Sequence, residues 1–147
     1  LFDAQLSWLG ELASQPRLMG PVGTGAAAKL ALNQLIASLT HAYSLALRLV
    51  EASGLEIERF MDVLRPSALY APTVDKKLER MLSHRYGNPN FSTSLLRKDL
   101  LLFLREAQLA GVNASALQGL ATLLERADGT DLDAGDYCAL HELTAAR

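Results

Sequence analysis

Lys29 and Asn33 are the residues whose types and spacing best suit chemistry. Lys29 follows three alanines and precedes Leu30, which places it in the second turn of a predicted helix. Burial among apolar side chains and the positive end of a helix dipole both disfavour the ammonium form, so a lysine in that place could exchange a proton near neutral pH. Asn33 shares a helix face with Lys29, where its amide could hold a substrate hydroxyl or the lysine head. A surface lysine on a capped helix and an asparagine satisfied by backbone remain the alternatives on spacing alone.

A second charged pair, Lys98–Asp99, lies inside an otherwise apolar stretch that runs from Leu95 to Leu104. If the lysine stem packs on leucines while its head reaches a cleft, the pair could bind a ligand. A solvated stripe is the alternative, because Arg97 and Lys98 are adjacent and need not face the core.

Two other chemical patterns are weak in this sequence. Gly20, Gly23 and Gly25 read GxxGxG rather than the dinucleotide fingerprint GxGxxG, so a tight turn that leads into a helix is the expected role. The three histidines show no ligand spacing with Cys138 or with a pair of carboxylates. We therefore predict no metal site.

Composition and charge argue against several classes of protein. The net charge of −2 excludes a generic nucleic-acid coat and provides no polybasic membrane patch. No run of 18 apolar residues lacks a charge, so a transmembrane helix is not expected. The single cysteine excludes an intramolecular disulfide framework and agrees with a reducing compartment, which predicts a cytoplasmic protein.

The elements that must position these side chains are predicted to be helices. The 147 residues include 31 Leu and 22 Ala but only 7 Val and Ile together, which favours a single all-α domain. The dominant helix runs from Thr24, as N-cap, to about Ser53, with Gly54 beyond its end. Because this helix is apolar on nearly every side, we expect a multi-helix bundle around it, or burial shared with a partner subunit.

Shorter helices are predicted around this central one. Ser92 or Thr93 can cap the helix that carries Lys98, and Gly111 ends it. The stretch Arg17–Met19 is either a short strand or a connector. The predicted shorter helices cover residues 2–13, 56–65, 71–83, 93–110, 114–127 and 134–145.

The segment from Gly20 to Asn33, GPVGTGAAAKLALN, resembles the junction and catalytic helix of the β-hydroxyacid dehydrogenases, the 3-hydroxyisobutyrate dehydrogenase-like family with a C-terminal domain of the 6-phosphogluconate dehydrogenase type. In that family a glycine-rich turn leads into a long helix, whose lysine is the general acid/base and whose asparagine four residues on binds substrate. Phe91 followed seven residues later by Lys98–Asp99 resembles a second family motif. The segment from Asp136 to Leu140 resembles the family's aspartate and aromatic near the C-terminus.

The resemblance implies hydride transfer between NAD or NADP and a short β-hydroxy acid or semialdehyde, of the 3-hydroxyisobutyrate, glyoxylate, succinic semialdehyde or tartronate semialdehyde type. It assigns Lys29 to acid/base catalysis and Asn33 to substrate binding. It assigns Phe91, Lys98 and Asp99 to cofactor binding. The resemblance does not indicate which of these acids or semialdehydes is the substrate, or whether the cofactor is NAD or NADP.

The resemblance also implies that a dinucleotide-binding half belongs with this chain. The GxGxxG fingerprint is absent and the chain opens on Leu1 rather than Met. Residues 1–19 therefore resemble the end of an N-terminal Rossmann domain, and residues 20–147 resemble the helical domain for substrate binding and dimerisation. We expect a homodimer or higher homo-oligomer, and we expect the isolated chain to be inactive.

The sequence is compatible with two other functions. A helical module for dimerisation or ligand sensing could keep the fold without the chemistry. An unrelated helical regulatory domain is supported by composition alone.

Overall fold

The long helix α2 (Thr24–Ala52) is the central element of the fold, and four of the shorter helices pack against it. A computed structural model describes residues 1–145, and these residues contain no β-strand, which confirms the all-α prediction. The stretch Arg17–Met19 is a connector. The other helices are α1 (Leu6–Leu12), α3 (Ile57–Leu64), α4 (Thr73–Leu82), α5 (Thr93–Leu109), α6 (Gln118–Glu125), α7 (Asp131–Ala134) and α8 (Leu140–Leu143).

Glycines define both ends of α2. Gly23, with φ of 101°, is the N-cap, and the Thr24 hydroxyl donates to the Pro21 carbonyl at 2.8 Å instead of capping the helix. The prediction of Thr24 as N-cap is therefore wrong by one residue. Gly54 adopts a φ of 75° beyond the other end, as predicted, and its N–H donates to the Glu51 carbonyl at 3.0 Å, since glycine adopts the left-handed conformation without steric cost.

Helix α2 buries one face rather than its whole circumference. Its buried side packs against α3, α5, α6 and α8. The opposite side carries an exposed leucine stripe, a row of leucines that recurs every three, four or six residues, and Leu49 at its end is 72% exposed. Within the described part of the single chain, no other helix covers this face of α2. The prediction that α2 is covered on nearly every side by helices of its own chain is therefore wrong. The leucine stripe comprises Leu32, Leu35, Leu39, Leu45 and Leu49.

The helix predicted over residues 134–145 is broken in the structure. Helix α7 ends at Ala134, the chain is extended at Gly135 and Asp136, and a 3₁₀ turn precedes α8. The extended residues use their backbone groups for distant partners: the Thr93 N–H donates to the Gly135 carbonyl at 2.9 Å, and the Asp136 N–H donates to the Tyr86 carbonyl at 2.7 Å. Tertiary hydrogen bonds thus replace the helical ones.

A buried ion pair holds this extended segment against α4. Lys77 Nζ donates to Asp136 Oδ2 at 2.7 Å, and Asp136 Oδ1 accepts the Cys138 backbone N–H at 3.2 Å. Burial would raise the pKa of the Asp136 carboxyl, but the hydrogen bonds from Lys77 and Cys138 hold that pKa below its ordinary value. Burial raises the pKa of the Cys138 thiol to about 12, so this thiol is a packing group rather than a nucleophile.

His141 in α8 is fully buried, and neither of its ring nitrogens has a hydrogen-bond partner within residues 1–145. Arg48 of α2 lies close by and donates to the His141 carbonyl at 3.1 Å. Burial, together with the Arg48 charge, lowers the pKa of His141 to about 4. The imidazole is therefore neutral in the folded protein at neutral pH.

Acidification should destabilise the fold through His141. Its pKa is lower in the folded chain than the ordinary 6.5 of the unfolded chain, so the unfolded state binds the proton first and the free energy of unfolding falls as pH drops from 6.5 towards 4. We expect a loss of about 2 kcal/mol between pH 7 and pH 5 from this residue. Urea unfolding of the native chain and of the His141→Leu variant at both pH values measures it.

The comparison isolates His141 because His41, whose pKa burial also lowers, is present in both proteins. The His141→Leu variant should lose less stability than the native chain over this range. Equal losses in the two proteins would contradict the assignment.

Candidate functional site

The packing of α2 along α5 brings three polar side chains to one point. Lys29 Nζ donates to Asp99 Oδ2 at 2.8 Å, and Asn33 Nδ2 donates to the same oxygen at 2.6 Å. Lys29 and Asn33 are one helical turn apart, as their spacing predicts, whereas Asp99 comes from the other helix. The structure therefore joins residues from both sequence motifs into one cluster.

The Asp99 carboxylate is the buried centre of this cluster. Its side chain is 3% exposed, between Leu96 and Leu100, which are also buried. Burial would raise the pKa of the Asp99 carboxyl, but hydrogen bonds from Lys29 and Asn33 outweigh burial and hold that pKa below its ordinary value. Asp99 is therefore a buried anion at neutral pH.

Lys29 lies at the surface rather than in an apolar environment. Its side chain is 61% exposed, so the surface lysine, one of the two alternatives that the spacing leaves open, is the one that the structure shows. Gly25, Ala26 and Ala27 in the first turn of α2 are exposed as well. The hydrogen bond to Asp99 Oδ2 is the contact that the Lys29 amino group makes with α5.

Lys98 also presents its ammonium group at the surface, with its side chain 59% exposed. Its Nζ lies 3.7 Å from Asp99 Oδ1, an oxygen that has no hydrogen-bond partner among the described residues. Leu95 and Leu102, three residues before and four after Lys98 on the same face of α5, are exposed as well. Two lysines and one carboxylate thus form a cluster of net positive charge within an apolar surface.

Phe91 lies just before α5 and is only half-buried. Its ring packs against Tyr137 with the ring centroids 6.0 Å apart, and it borders the hydrophobic cluster around Leu96. The following residue, Ser92, is the N-cap of α5, as predicted, and accepts the Leu95 N–H at 3.3 Å. The contacts of Phe91 are those of a packing residue, and its predicted part in cofactor binding stays a prediction.

The glycine-rich segment before α2 forms a turn. Gly20 and Gly23 have φ values of 120° and 101°, which side chains with a Cβ rarely adopt. These turns place the start of α2, and with it Lys29, beside α5. Among residues 1–145, no group of three or more histidine, cysteine and acidic side chains is arranged to hold a metal ion.

Comparison with known proteins identifies the family to which this site belongs. The sequence profile of a family described as the NAD-binding domain of NADP-dependent 3-hydroxyisobutyrate dehydrogenase matches residues 23–144. The chain belongs to this family, within the NAD(P)-dependent β-hydroxyacid dehydrogenases. The resemblance that rests on the Lys29 and Lys98 motifs is thereby confirmed.

Individual relatives of the β-hydroxyacid dehydrogenase family agree with this assignment. Glyoxylate/succinic semialdehyde reductase 1 of Arabidopsis thaliana is 27% identical over 97% of this chain and 49% of its own length. A structure of Mycobacterium tuberculosis 3-hydroxyisobutyrate dehydrogenase with L-serine has the same fold, with a TM-score of 0.84 and 24% sequence identity. The superposition covers 98% of this chain and 52% of the M. tuberculosis chain. The chain spans about half the length of these relatives.

Among residues 1–145, no helix combines the length and the hydropathy that a membrane span requires.

Proposed function

We propose that this chain is the helical domain of an NAD(P)-dependent oxidoreductase that transfers a hydride between nicotinamide and a short β-hydroxy acid or semialdehyde. The convergence of Lys29 and Asn33 on Asp99 carries this proposal, because it holds an ammonium group and an amide side by side at an accessible surface. The chemistry of the known relatives supports it. Glyoxylate, succinic semialdehyde, tartronate semialdehyde and 3-hydroxyisobutyrate are the candidate substrates, and the protein is proposed to be cytoplasmic.

The charges of the cluster suit an anionic ligand. Two exposed ammonium groups, those of Lys29 and Lys98, accompany one buried carboxylate. The excess positive charge fits a substrate carboxylate or a dinucleotide phosphate. Bound NAD(P) supplies the acceptor or donor of the hydride, and Lys98 with Phe91 is proposed to lie on the cofactor side.

Lys29 and Asn33 then act on the substrate oxygen. The Lys29 ammonium gives a proton to the carbonyl oxygen when the aldehyde is reduced, and in the reverse direction the neutral amine left by that step takes the hydroxyl proton as the alcohol is oxidised. Asn33 donates one amide hydrogen to Asp99, which leaves its amide oxygen and second N–H to orient the substrate hydroxyl.

We also propose that residues 1–19 end a dinucleotide-binding domain and that residues 20–147 form the domain described above. Leu6, Trp8 and Leu12 on α1 are exposed, as expected for a helix whose apolar side packs against a further domain. Leu32, Leu95 and Leu102 border the lysine cluster with further exposed apolar surface. A second domain that covers this rim would close a cleft around Lys29 and exclude water from it.

The Lys29→Ala variant of the enzyme with its dinucleotide-binding half should lose acid/base catalysis. We expect kcat to fall roughly 10²- to 10⁴-fold while cofactor affinity stays nearly unchanged, because the amine acts on the substrate proton. Turnover of the four candidate substrates with NAD and with NADP measures the effect. Lys76→Ala, an exposed lysine on α4, is the matched control, and near-normal turnover in Lys29→Ala would remove Lys29 from the role.

The Lys98→Ala variant should mainly weaken binding. Loss of its ammonium group removes an attraction that is present before and during the reaction, so the KM for cofactor or substrate should rise roughly tenfold while kcat changes little. Steady-state kinetics, with the concentrations of cofactor and substrate varied in turn, measures kcat and each KM separately. Unchanged KM values for both ligands would defeat this assignment.

The leucine stripe on α2 supports a homodimer or higher homo-oligomer in which a second copy covers it. The Leu45→Glu/Leu49→Glu variant should be monomeric because charges would enter the contact, whereas Val63→Glu/Leu69→Glu, two exposed residues away from the stripe, should keep the native state. Sedimentation equilibrium of the native chain and both variants measures the mass. A monomeric native chain, or the same mass in all three proteins, would contradict the proposal.

A further inference from the structure

We propose that Asp99 is a positioning residue, whose carboxylate holds the Lys29 amine and the Asn33 amide at a single point and contacts neither cofactor nor substrate. This role rests on the proposed function of Lys29. It differs from the role in cofactor binding that the family resemblance predicts for Asp99.

The geometry of the hydrogen bonds supports a positioning role. One oxygen, Asp99 Oδ2, accepts from Lys29 Nζ at 2.8 Å and from Asn33 Nδ2 at 2.6 Å. Two donors that share one acceptor atom lie close enough together for a single hydroxyl or carbonyl oxygen to meet both. Asp99 thereby determines the separation of the two groups that act on the substrate.

The flexibility of Lys29 makes such a restraint necessary. Its four-carbon side chain is 61% exposed and few neighbours restrict it. Asp99, by contrast, is 3% exposed on the packed face of α5, between the buried Leu96 and Leu100. The short buried side chain therefore orients the long exposed one, and this lowers the entropy that Lys29 loses when the substrate binds.

Burial and charge argue against direct binding of the cofactor by Asp99. Its carboxylate lies beneath the ammonium groups of Lys29 and Lys98, and Oδ1 is buried without a hydrogen-bond partner among the described residues. The Asp99 carboxylate would repel a dinucleotide phosphate. A ribose hydroxyl could reach this carboxylate only if the carboxylate were exposed. The lysines are the groups that a ligand can touch.

The Asp99 charge also allows two lysines to share one small site. Lys98 Nζ lies 3.7 Å from Oδ1 while Lys29 is bonded to Oδ2. The carboxylate between them reduces the repulsion of their positive charges. Because its contact with Asp99 is the longer one, Lys98 keeps its hydrogen-bond donors for a ligand.

The first test measures Lys29 in this chain without cofactor. Lysines are labelled at pH 8 with a trace of acetic anhydride, and mass spectrometry gives the rate at each site in the native chain and in Asp99→Asn. Lys29 should react roughly three- to fivefold more slowly than the exposed Lys76 in the native chain, and the two rates should be nearly equal in Asp99→Asn. Equal rates of Lys29 and Lys76 in the native chain, or an unchanged ratio in Asp99→Asn, would overturn the proposal.

The second test uses the enzyme with its dinucleotide-binding half. A positioning residue affects the reacting geometry, so Asp99→Asn should lower kcat roughly 10- to 100-fold with the KM for the dinucleotide unchanged. A raised dinucleotide KM with kcat retained would show Asp99 to be a cofactor ligand and would overturn the proposal. If circular dichroism shows Asp99→Asn to be unfolded, Asp99→Glu, which keeps the charge and displaces it by one methylene, should show the same loss of kcat.

The proposed roles of Lys29 and Asp99 can be contradicted separately. Normal turnover in Lys29→Ala would remove the proposed function, and the role of Asp99 with it. Loss of turnover in Lys29→Ala together with normal kinetics in Asp99→Asn would remove only the positioning role.

Discussion

A buried carboxylate needs hydrogen-bond donors, and in this protein the donors to Asp99 are the side chains of the candidate site. Removal of the Asp99 charge from water is unfavourable unless donors compensate for it, and Lys29 and Asn33 of α2 provide them. The hydrogen bonds that satisfy Asp99 Oδ2 are therefore also contacts between α2 and α5. A substitution that displaced either helix would separate the groups proposed to act on the substrate.

The surface around this contact is largely apolar. The charged centre lies within a rim of exposed leucines, and a leucine stripe continues along α2. The described residues bury two hydrophobic clusters of their own, so these leucines are available for other partners. The chain spans about half the length of its Arabidopsis thaliana and Mycobacterium tuberculosis relatives.

Much of the fold could be predicted from local patterns, whereas the break in the last predicted helix depends on residues far away in the sequence. Helical spacing predicts the bounds of α2 and α5, and the conformational freedom of glycine predicts Gly54 and Gly111 beyond their ends. Both signals depend on neighbouring residues alone. The break at Gly135 could not be predicted, because the hydrogen bonds that replace the helical ones come from Tyr86 and Thr93.

The sequence by itself determined that this is a helical chain with Lys29 and Asn33 on one face, since residues four apart on a helix are neighbours. Its motifs were also sufficient to identify the family. Only the tertiary structure decided that Lys29 is exposed and that Asp99 is the residue to which it binds. Their contact joins positions 70 residues apart, and a pairing at that separation depends on how whole helices pack rather than on local spacing.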